Sequence, residues 1–293
     1  MLYESLDDVS LVTGSIGAAV ATFERLGFRV GRPRRQAGTG LEYRAICAGG
    51  ATNLFWVLLT GVIDTQEAEG HRLGRFVSGA LQKSPGVFRL GLRVSSLKIA
   101  LQELASRGVQ VESYEFFGAD GAKLGDIAPL PASDAACATL ALVQYVKAQP
   151  ERHAALEASG ALAHALPLKR LDHLAAVSPD LEATTRYWND VLGIPTWGEV
   201  VTPTTIIRQM KVGDAILELL GPANADSPIR SRAPGLSSMT AFEVPDLNAA
   251  VAIVRSAGFG ASDPVVGSLP GTRVARIPAE ELSGLALQLL EYV

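Results

Sequence analysis

Only two of the 293 residues are cysteine, Cys47 and Cys137. Both lie in apolar, strand-like stretches without metal-ligand spacing, so a disulfide scaffold and a cysteine-built metal centre are excluded. Free buried thiols in a reducing compartment are expected instead. Charge is sparse as well: 19% of the chain is charged, with a net charge of −4 and a pI near 5.7. No basic stripe interleaved with aromatics is present, which removes nucleic acid from the expected partners. The one basic run, Arg32-Pro33-Arg34-Arg35, reads as a solvated loop after a strand. Apolar runs of membrane-spanning length are missing. No basic segment followed by an apolar one stands at the N-terminus, so no secretory signal is read there. Gly38-Thr39-Gly40 and Ala48-Gly49-Gly50 precede no helix and are not phosphate loops. Ser178 and Ser237 sit in cap and strand-start contexts with no base to activate them. Three of the four histidines, His71, His153 and His164, read as surface residues of an inserted helix and a linker. The expectation is a soluble cytoplasmic monomer or homodimer whose partner is a small-molecule ligand.

What the chain does have is a unit repeated four times. Each copy is an apolar strand, an amphipathic helix, a glycine-centred stop and further strands. The stops are Leu26-Gly27-Phe28, Arg107-Gly108-Val109, Leu192-Gly193-Ile194 and Ala257-Gly258-Phe259. Counted from Asp8, Arg89, His173 and Met239, the glycine follows by 19, 19, 20 and 19 residues. The third copy is the clearest. Leu171 to Val177 is a strand, Asp180 an N-cap, and Leu181, Thr184, Thr185, Trp188, Val191 and Leu192 form one helical face. Thr204 to Val212 and Ala215 to Leu220 then form a hairpin around Gly213-Asp214. The fold class is therefore α+β, with tandem βαβββ modules. Two domains are expected, each burying its own core: residues 1–148 and 168–293, joined by a linker at 149–167. A further insertion, 64–86, carries Leu73, Phe76, Val77 and Leu81 at helical spacing and should lie on the first domain.

The hairpin fixes a register. Val212 faces Ala215, which puts Gln209 opposite Glu218 and places Gln209, Ile207 and Leu220 on the same face as Glu218, while Arg208 and Leu219 point away. A carboxylate midway along an apolar strand is costly unless paired, hydrated or ligating, so Glu218 belongs in a solvent-filled cup.

The run Leu171-Asp172-His173-Leu174-Ala175-Ala176-Val177, with Tyr187 to Ile194 and Ile216-Leu217-Glu218-Leu219-Leu220, resembles a glyoxalase module of the vicinal oxygen chelate superfamily. Ala241 to Leu247 and Gly284 to Leu289 resemble the partner module, and residues 1–148 are similar to a divergent copy. The resemblance implies four modules forming two glyoxalase-like half-barrel domains. It also implies a divalent metal in the cup, whether Mn, Fe, Mg, Ni or Zn, with ligand positions at His173, Glu218, Met239 and Gln288. His173, Glu218 and Gln288 suit a metal, whereas Met239 stands where the family has histidine and supplies only a soft thioether. Extradiol dioxygenase chemistry, which would need histidine at Met239 and an acid at Gln288, is disfavoured. Two readings stand. In one, a metal-assisted lyase or isomerase acts on a small oxygenated molecule, with Glu218 as the catalytic proton carrier and Gln209, Met239, Ile207 and Leu220 against the substrate. In the other, the cup is a resistance-type binding pocket with no metal. In the first domain the equivalent positions hold Asp8, Arg89, an apolar residue within Trp56-Val57-Leu58, and Val143 or Gln144, so an Asp8–Arg89 ion pair is expected in place of a metal.

Overall fold

The computed structural model describes residues 2–50 and 53–293; Met1, Ala51, Thr52 and the side chains of Ser237 and Ser238, including the reading of Ser237 above, lie outside the described set. The first half runs β1 (Tyr3–Thr13), α1 (Ile16–Arg25), β2 (Arg34–Gln36), β3 (Leu41–Ala48), β4 (Phe55–Val62), α2 (Thr65–Gly70), α3 (Arg72–Lys83), β5 (Gly86–Val94), α4 (Leu97–Ser106), β6 (Tyr114–Phe117), β7 (Lys123–Pro129) and β8 (Leu140–Tyr145). Helix α5 (Gln149–Ala158) leads into the second: β9 (Arg170–Val177), α6 (Leu181–Arg186), β10 (Thr196–Val201), β11 (Thr205–Val212), β12 (Ala215–Pro222), β13 (Gly235–Glu243), α7 (Leu247–Ser256), β14 (Val265–Val266), β15 (Thr272–Ile277) and β16 (Ala286–Tyr292).

The local chemistry is the same in all four repeats. Ser15, Ser96, Asp180 and Asp246 cap α1, α4, α6 and α7, each accepting from the backbone N–H three residues on, which satisfies one of the donors a helix start leaves free. The four stop glycines have φ of 99°, 82°, 74° and 80°, a conformation other residues rarely adopt. Helix α6 widens into a π-turn from Tyr187 to Leu192 before its stop.

Two eight-stranded sheets result, with identical orders: β2-β3-β4-β1-β5-β8-β7-β6 and β10-β11-β12-β9-β13-β16-β15-β14. Each sheet joins two repeats through an antiparallel seam of their first strands, β1 with β5 and β9 with β13. This is the expected pair of half-barrels.

The four repeat helices, α1, α4, α6 and α7, lie on the convex side of each sheet, between the halves, and there the expectation of two separate cores fails. One hydrophobic cluster runs unbroken from Tyr3 in the first sheet to Leu289 in the second. The stops meet in pairs across it. Arg25 lies over the Phe259 ring at 4.5 Å, and Arg107 Nη1 donates to Val191 O at 3.1 Å. Tyr3 Oη donates to Leu192 O at 2.8 Å, Trp188 Nε1 donates to Ala136 O at 3.0 Å, and Phe55 packs edge-on to Phe242 at 6.0 Å. An amphipathic helix buries its stripe on whatever layer completes the core, and here each half completes the other.

The halves should therefore unfold together. Calorimetry is expected to give one transition, and two resolved transitions would contradict the shared core. Gly284 has φ of 91° and its backbone abuts Gly86 across the halves, where an added Cβ would come within 2.5 Å of Gly86 Cα. Gly284→Ala should lower that single transition by an amount equivalent to roughly 2 kcal/mol or more.

Candidate functional site

In the second sheet the hairpin register is as counted: Val212 pairs with Ala215 and Gln209 with Glu218. Ala175 of β9 pairs with both Glu218 and Met239, and Ala241 with both His173 and Gln288. Alternation along the strands then puts His173, Ala175 and Val177, Gln209 and Ile207, Glu218 and Leu220, Met239 and Gln288 on the concave face. Arg208 points to the other face, where it bonds Glu182, Thr185 and Glu199. The cup has two zones. Ala175, Val177, Leu220, Ile229, Ile207 and Met239 make an apolar patch. Beside it, His173, Gln209, Glu218 and Gln288 are polar and nearly buried, each 4–6% exposed.

The polar zone is wired in two pieces. Gln209 Nε2 donates to Glu218 Oε1 at 3.1 Å. The other piece is a chain. Arg276 Nε donates to Gln288 Oε1 at 3.1 Å, Gln288 Nε2 stands 3.4 Å from His173 Nε2, and His173 Nδ1 lies 2.8 Å from Asp172 Oδ2. With Gln288 turned so, the consistent assignment is a proton on His173 Nδ1, leaving Nε2 as acceptor. Asp172 also accepts from Tyr292 Oη and from Arg170. Burial raises the Asp172 carboxyl, but His173, Tyr292 and Arg170 more than offset this and hold it below the usual value.

Asp172 reaches the same side as His173 because β9 carries one extra residue at that point: Ala241 pairs with His173 and Phe242 with Leu171. Such a bulge re-aims a side chain. Sequence reasoning missed Asp172 because strand alternation assigns it to the opposite face. It also missed Arg276, which pairs with Gln288 on the neighbouring strand. Arg276 borders a concavity of about 470 Å³ lined also by Gly260, Ala261, Ser262, Ile277, Pro278 and Ala286. The one signal for it is an Arg standing between Ala275 and Ile277 in the apolar second half of β15.

As they stand these residues do not fit a divalent metal. Gln288 Oε1, the atom that would ligate, accepts from the Arg276 guanidinium, which also brings a positive charge to the spot. Glu218 Oε1 is engaged by Gln209, and Met239 offers a soft thioether. Among the described residues no group of three or more His, Cys, Asp or Glu side chains is placed to hold a metal ion.

The first cup is filled differently. Leu73, Val77 and Leu81 of α3 pack with Val12, Leu41 and Tyr43 over one end. At the ligand-equivalent positions stand Asp8, Leu58, Arg89 and Ala141, by the pairing of Ser10 with Leu58 and Arg89, and of Gly91 with Asp8 and Ala141. The last of these is Ala141, not Val143 or Gln144; the Gln144 side chain turns out to Leu97 N. Arg89 Nη2 bonds Asp8 Oδ1 at 2.8 Å, with Asp8 almost fully buried. Gly91 makes room for this pair, since a Cβ there would collide with the Asp8 carboxylate. Removing one partner of a buried pair typically costs about 3–5 kcal/mol. Arg89→Ala should therefore lower the melting temperature well beyond Arg32→Ala, at an exposed loop position; equal values would count against the pair.

Asp7 is the bulged residue of β1 and accepts from Tyr145 Oη at 2.8 Å. Burial, then the neighbouring Asp8 charge, push its carboxyl from 3.8 to about 6, against Arg93, Arg152 and Tyr145. A raised carboxyl pKa means the folded chain holds this proton more tightly than the unfolded one. Stability from this group is then complete below about pH 4 and declines as pH rises to about 6. Asp7→Asn should gain on the wild type across that window in urea midpoints; a stability difference that is flat with pH would refute the assignment.

The two cysteines are free and buried, and burial raises both thiols. His164 is not a surface residue: Nδ1 accepts from Arg29 N at 2.9 Å and Nε2 meets Cys47 O at 2.6 Å. His71 is half-buried and caps α3.

Residues 172–275 match the family model described as the Glyoxalase/Bleomycin resistance protein/Dioxygenase superfamily. The mitochondrial methylmalonyl-CoA epimerase of Mus musculus is 34% identical over 91 residues, 29% of this chain and 51% of the relative. The Homo sapiens enzyme is 33% identical over the same length. The chain thus spans about half the length of the curated relatives it matches. Over the whole chain, a triple mutant of 4-hydroxymandelate synthase from Streptomyces coelicolor superposes with a TM-score of 0.67 at 14% identity, covering 100% of this chain and 93% of that one. A hypothetical protein from Staphylococcus aureus superposes equally, at 0.67 with 10% identity, covering 98% of each. At those identities the likeness is one of fold.

Proposed function

From the premise that the chain is a two-domain member of the Glyoxalase/Bleomycin resistance protein/Dioxygenase superfamily, we propose that its second cup binds a small oxygenated organic acid or acyl thioester without a metal. The observation that supports this is the division of the cup into an apolar patch and a polar row ending in Arg276. The carbon skeleton would lie on Val177, Leu220, Ile207, Met239 and Ile229. Its oxygens would meet Arg276, Gln288 and His173, a guanidinium being able to take the place of a metal ion as the local positive charge. Glu218 is the group suited to move a proton: Gln209 fixes one of its oxygens, and a carboxylate near bound substrate is a competent base.

A second reading, a metal-assisted lyase or isomerase, draws on the match to methylmalonyl-CoA epimerases. It would need Mn, Fe, Mg, Ni or Zn between His173, Glu218 and Gln288. Calorimetric titrations separate the two, with Mn²⁺ and methylmalonyl-CoA as probes. Wild type is expected to bind Mn²⁺ weakly. Met239→His should tighten it on the order of tenfold or more, since an imidazole replaces a thioether. The thioester should bind wild type regardless of chelator and lose on the order of tenfold in Arg276→Ala, the worth of one charge-assisted hydrogen bond. Chelator-sensitive thioester binding by wild type would favour the metal reading, and thioester binding indifferent to Arg276→Ala would sink the first.

A further inference from the structure

Among the described residues, eleven buried side-chain nitrogen and oxygen atoms have no hydrogen-bond partner, and all of them belong to residues between Ser5 and Arg152. The second sheet contributes none. An unpartnered buried donor costs roughly 1–3 kcal/mol, which is why such groups are few and call for an explanation.

Five of the eleven are N–H donors in the first cup: Arg152 Nε and Nη1, Arg89 Nε, Arg93 Nη1 and Trp56 Nε1. They gather round one place. Trp56 is the β4 partner of Asp8, whose carboxylate Arg89 holds. Arg93 Nη1 stands 3.8 Å from Asp7 Oδ1. The Arg152 guanidinium lies 3.5 Å over the Tyr145 ring, and the Tyr145 hydroxyl donates to Asp7. Stacking uses the face of the guanidinium and leaves its in-plane N–H groups without acceptors. Against the five donors stands one unpartnered carboxylate oxygen, Asp7 Oδ1. The missing chemistry is therefore that of an acceptor with several lone pairs. Charge agrees: Arg34, Arg89, Arg93 and Arg152 outnumber Glu4, Asp7 and Asp8.

We propose that the first cup is an oxyanion site, holding a small carboxylate or phosphate group between Arg152, Arg89 and the indole N–H of Trp56, beneath helix α5. The group must be small because α3 fills the other end of the cup with Leu73, Val77 and Leu81. No residue of α5 is fully buried, and Arg152, stacked on Tyr145, joins the helix to the first sheet through the same side chain that meets the anion.

The test is calorimetric titration of the full chain carrying Arg276→Ala, which takes the cation from the second cup, with inorganic phosphate and, separately, with malonate, at constant ionic strength set by chloride. One site is expected for at least one of them, and whichever binds identifies the phosphate or the carboxylate as the matching chemistry. Arg152→Ala and Trp56→Phe should each weaken it at least tenfold, while Lys98→Ala, which removes an exposed charge on α4, leaves it unchanged. Trp56→Phe keeps an aromatic side chain on β4 while removing the N–H donor, so it decides the matter even where Arg152→Ala disturbs α5. Heats no larger than those of chloride would mean that water meets these donors, and the proposal would be overturned. Binding that persists undiminished in Trp56→Phe would overturn it equally.

Discussion

Both cups depend on a carboxylate at a bulge in their central strand. Asp7 in β1 and Asp172 in β9 are the extra residues of equivalent irregularities, and each accepts from a tyrosine at the end of the partner repeat's last strand, Tyr145 or Tyr292. The contact ties the first strand of one repeat to the last strand of the other, across the seam where two repeats become one sheet. Without the bulge the carboxylate would point into the helical layer, where no such donor waits. The adjacent residue, Asp8 or His173, is thereby held at the head of the concave face. One local irregularity thus decides which two side chains open each cup.

The charges flanking the seam show the same scaffold with its signs exchanged. In the first sheet Glu4 pairs with Arg93; in the second Lys169 pairs with Glu243. A cross-strand pair contributes through opposite sign, whichever side carries which. The two sheets therefore share geometry while presenting different fields to their interiors, and the interiors have diverged accordingly.

Much of this was legible in the residues. Caps and glycine stops are local, so Asp180 marked the start of α6, the four glycines marked the end of each repeat's helix, and a two-residue loop at Gly213-Asp214 fixed the Gln209–Glu218 pairing by counting. The Asp8–Arg89 pair followed from the repeat register. The edge strands were not legible: β2 is Arg-Arg-Gln and β14 two exposed valines, so neither carries the alternation that marks a half-buried strand. Nor were the bulges, because pairing two residues against one leaves no trace in composition. Asp172 went unread for that reason, and Arg276 because its importance lies in its cross-strand partner. The shared core escaped because amphipathic helices announce that a face is buried without saying against what.

The two cups also differ in how they meet the cost of buried polarity. In the second, every buried side-chain nitrogen and oxygen described has a partner, and the chain from Arg276 through Gln288 and His173 to Asp172 runs from a cation at the rim to an anion at the seam. Each link orients the next, since a side-chain amide with its oxygen toward Arg276 must turn its nitrogen to His173. Such a network is set before anything binds. A ligand oxygen arriving at Arg276 would compete for the donor that now fixes Gln288, and so would be felt two links away at His173. The first cup has more guanidinium groups and no comparable chain, so its donors are not committed to one another. Preorganisation in one cup and unspent donors in the other follow from the same backbone, separated by which residues stand at the four equivalent positions, His173, Glu218, Met239 and Gln288 against Asp8, Leu58, Arg89 and Ala141, and by Trp56, Arg93 and Arg152 beside them.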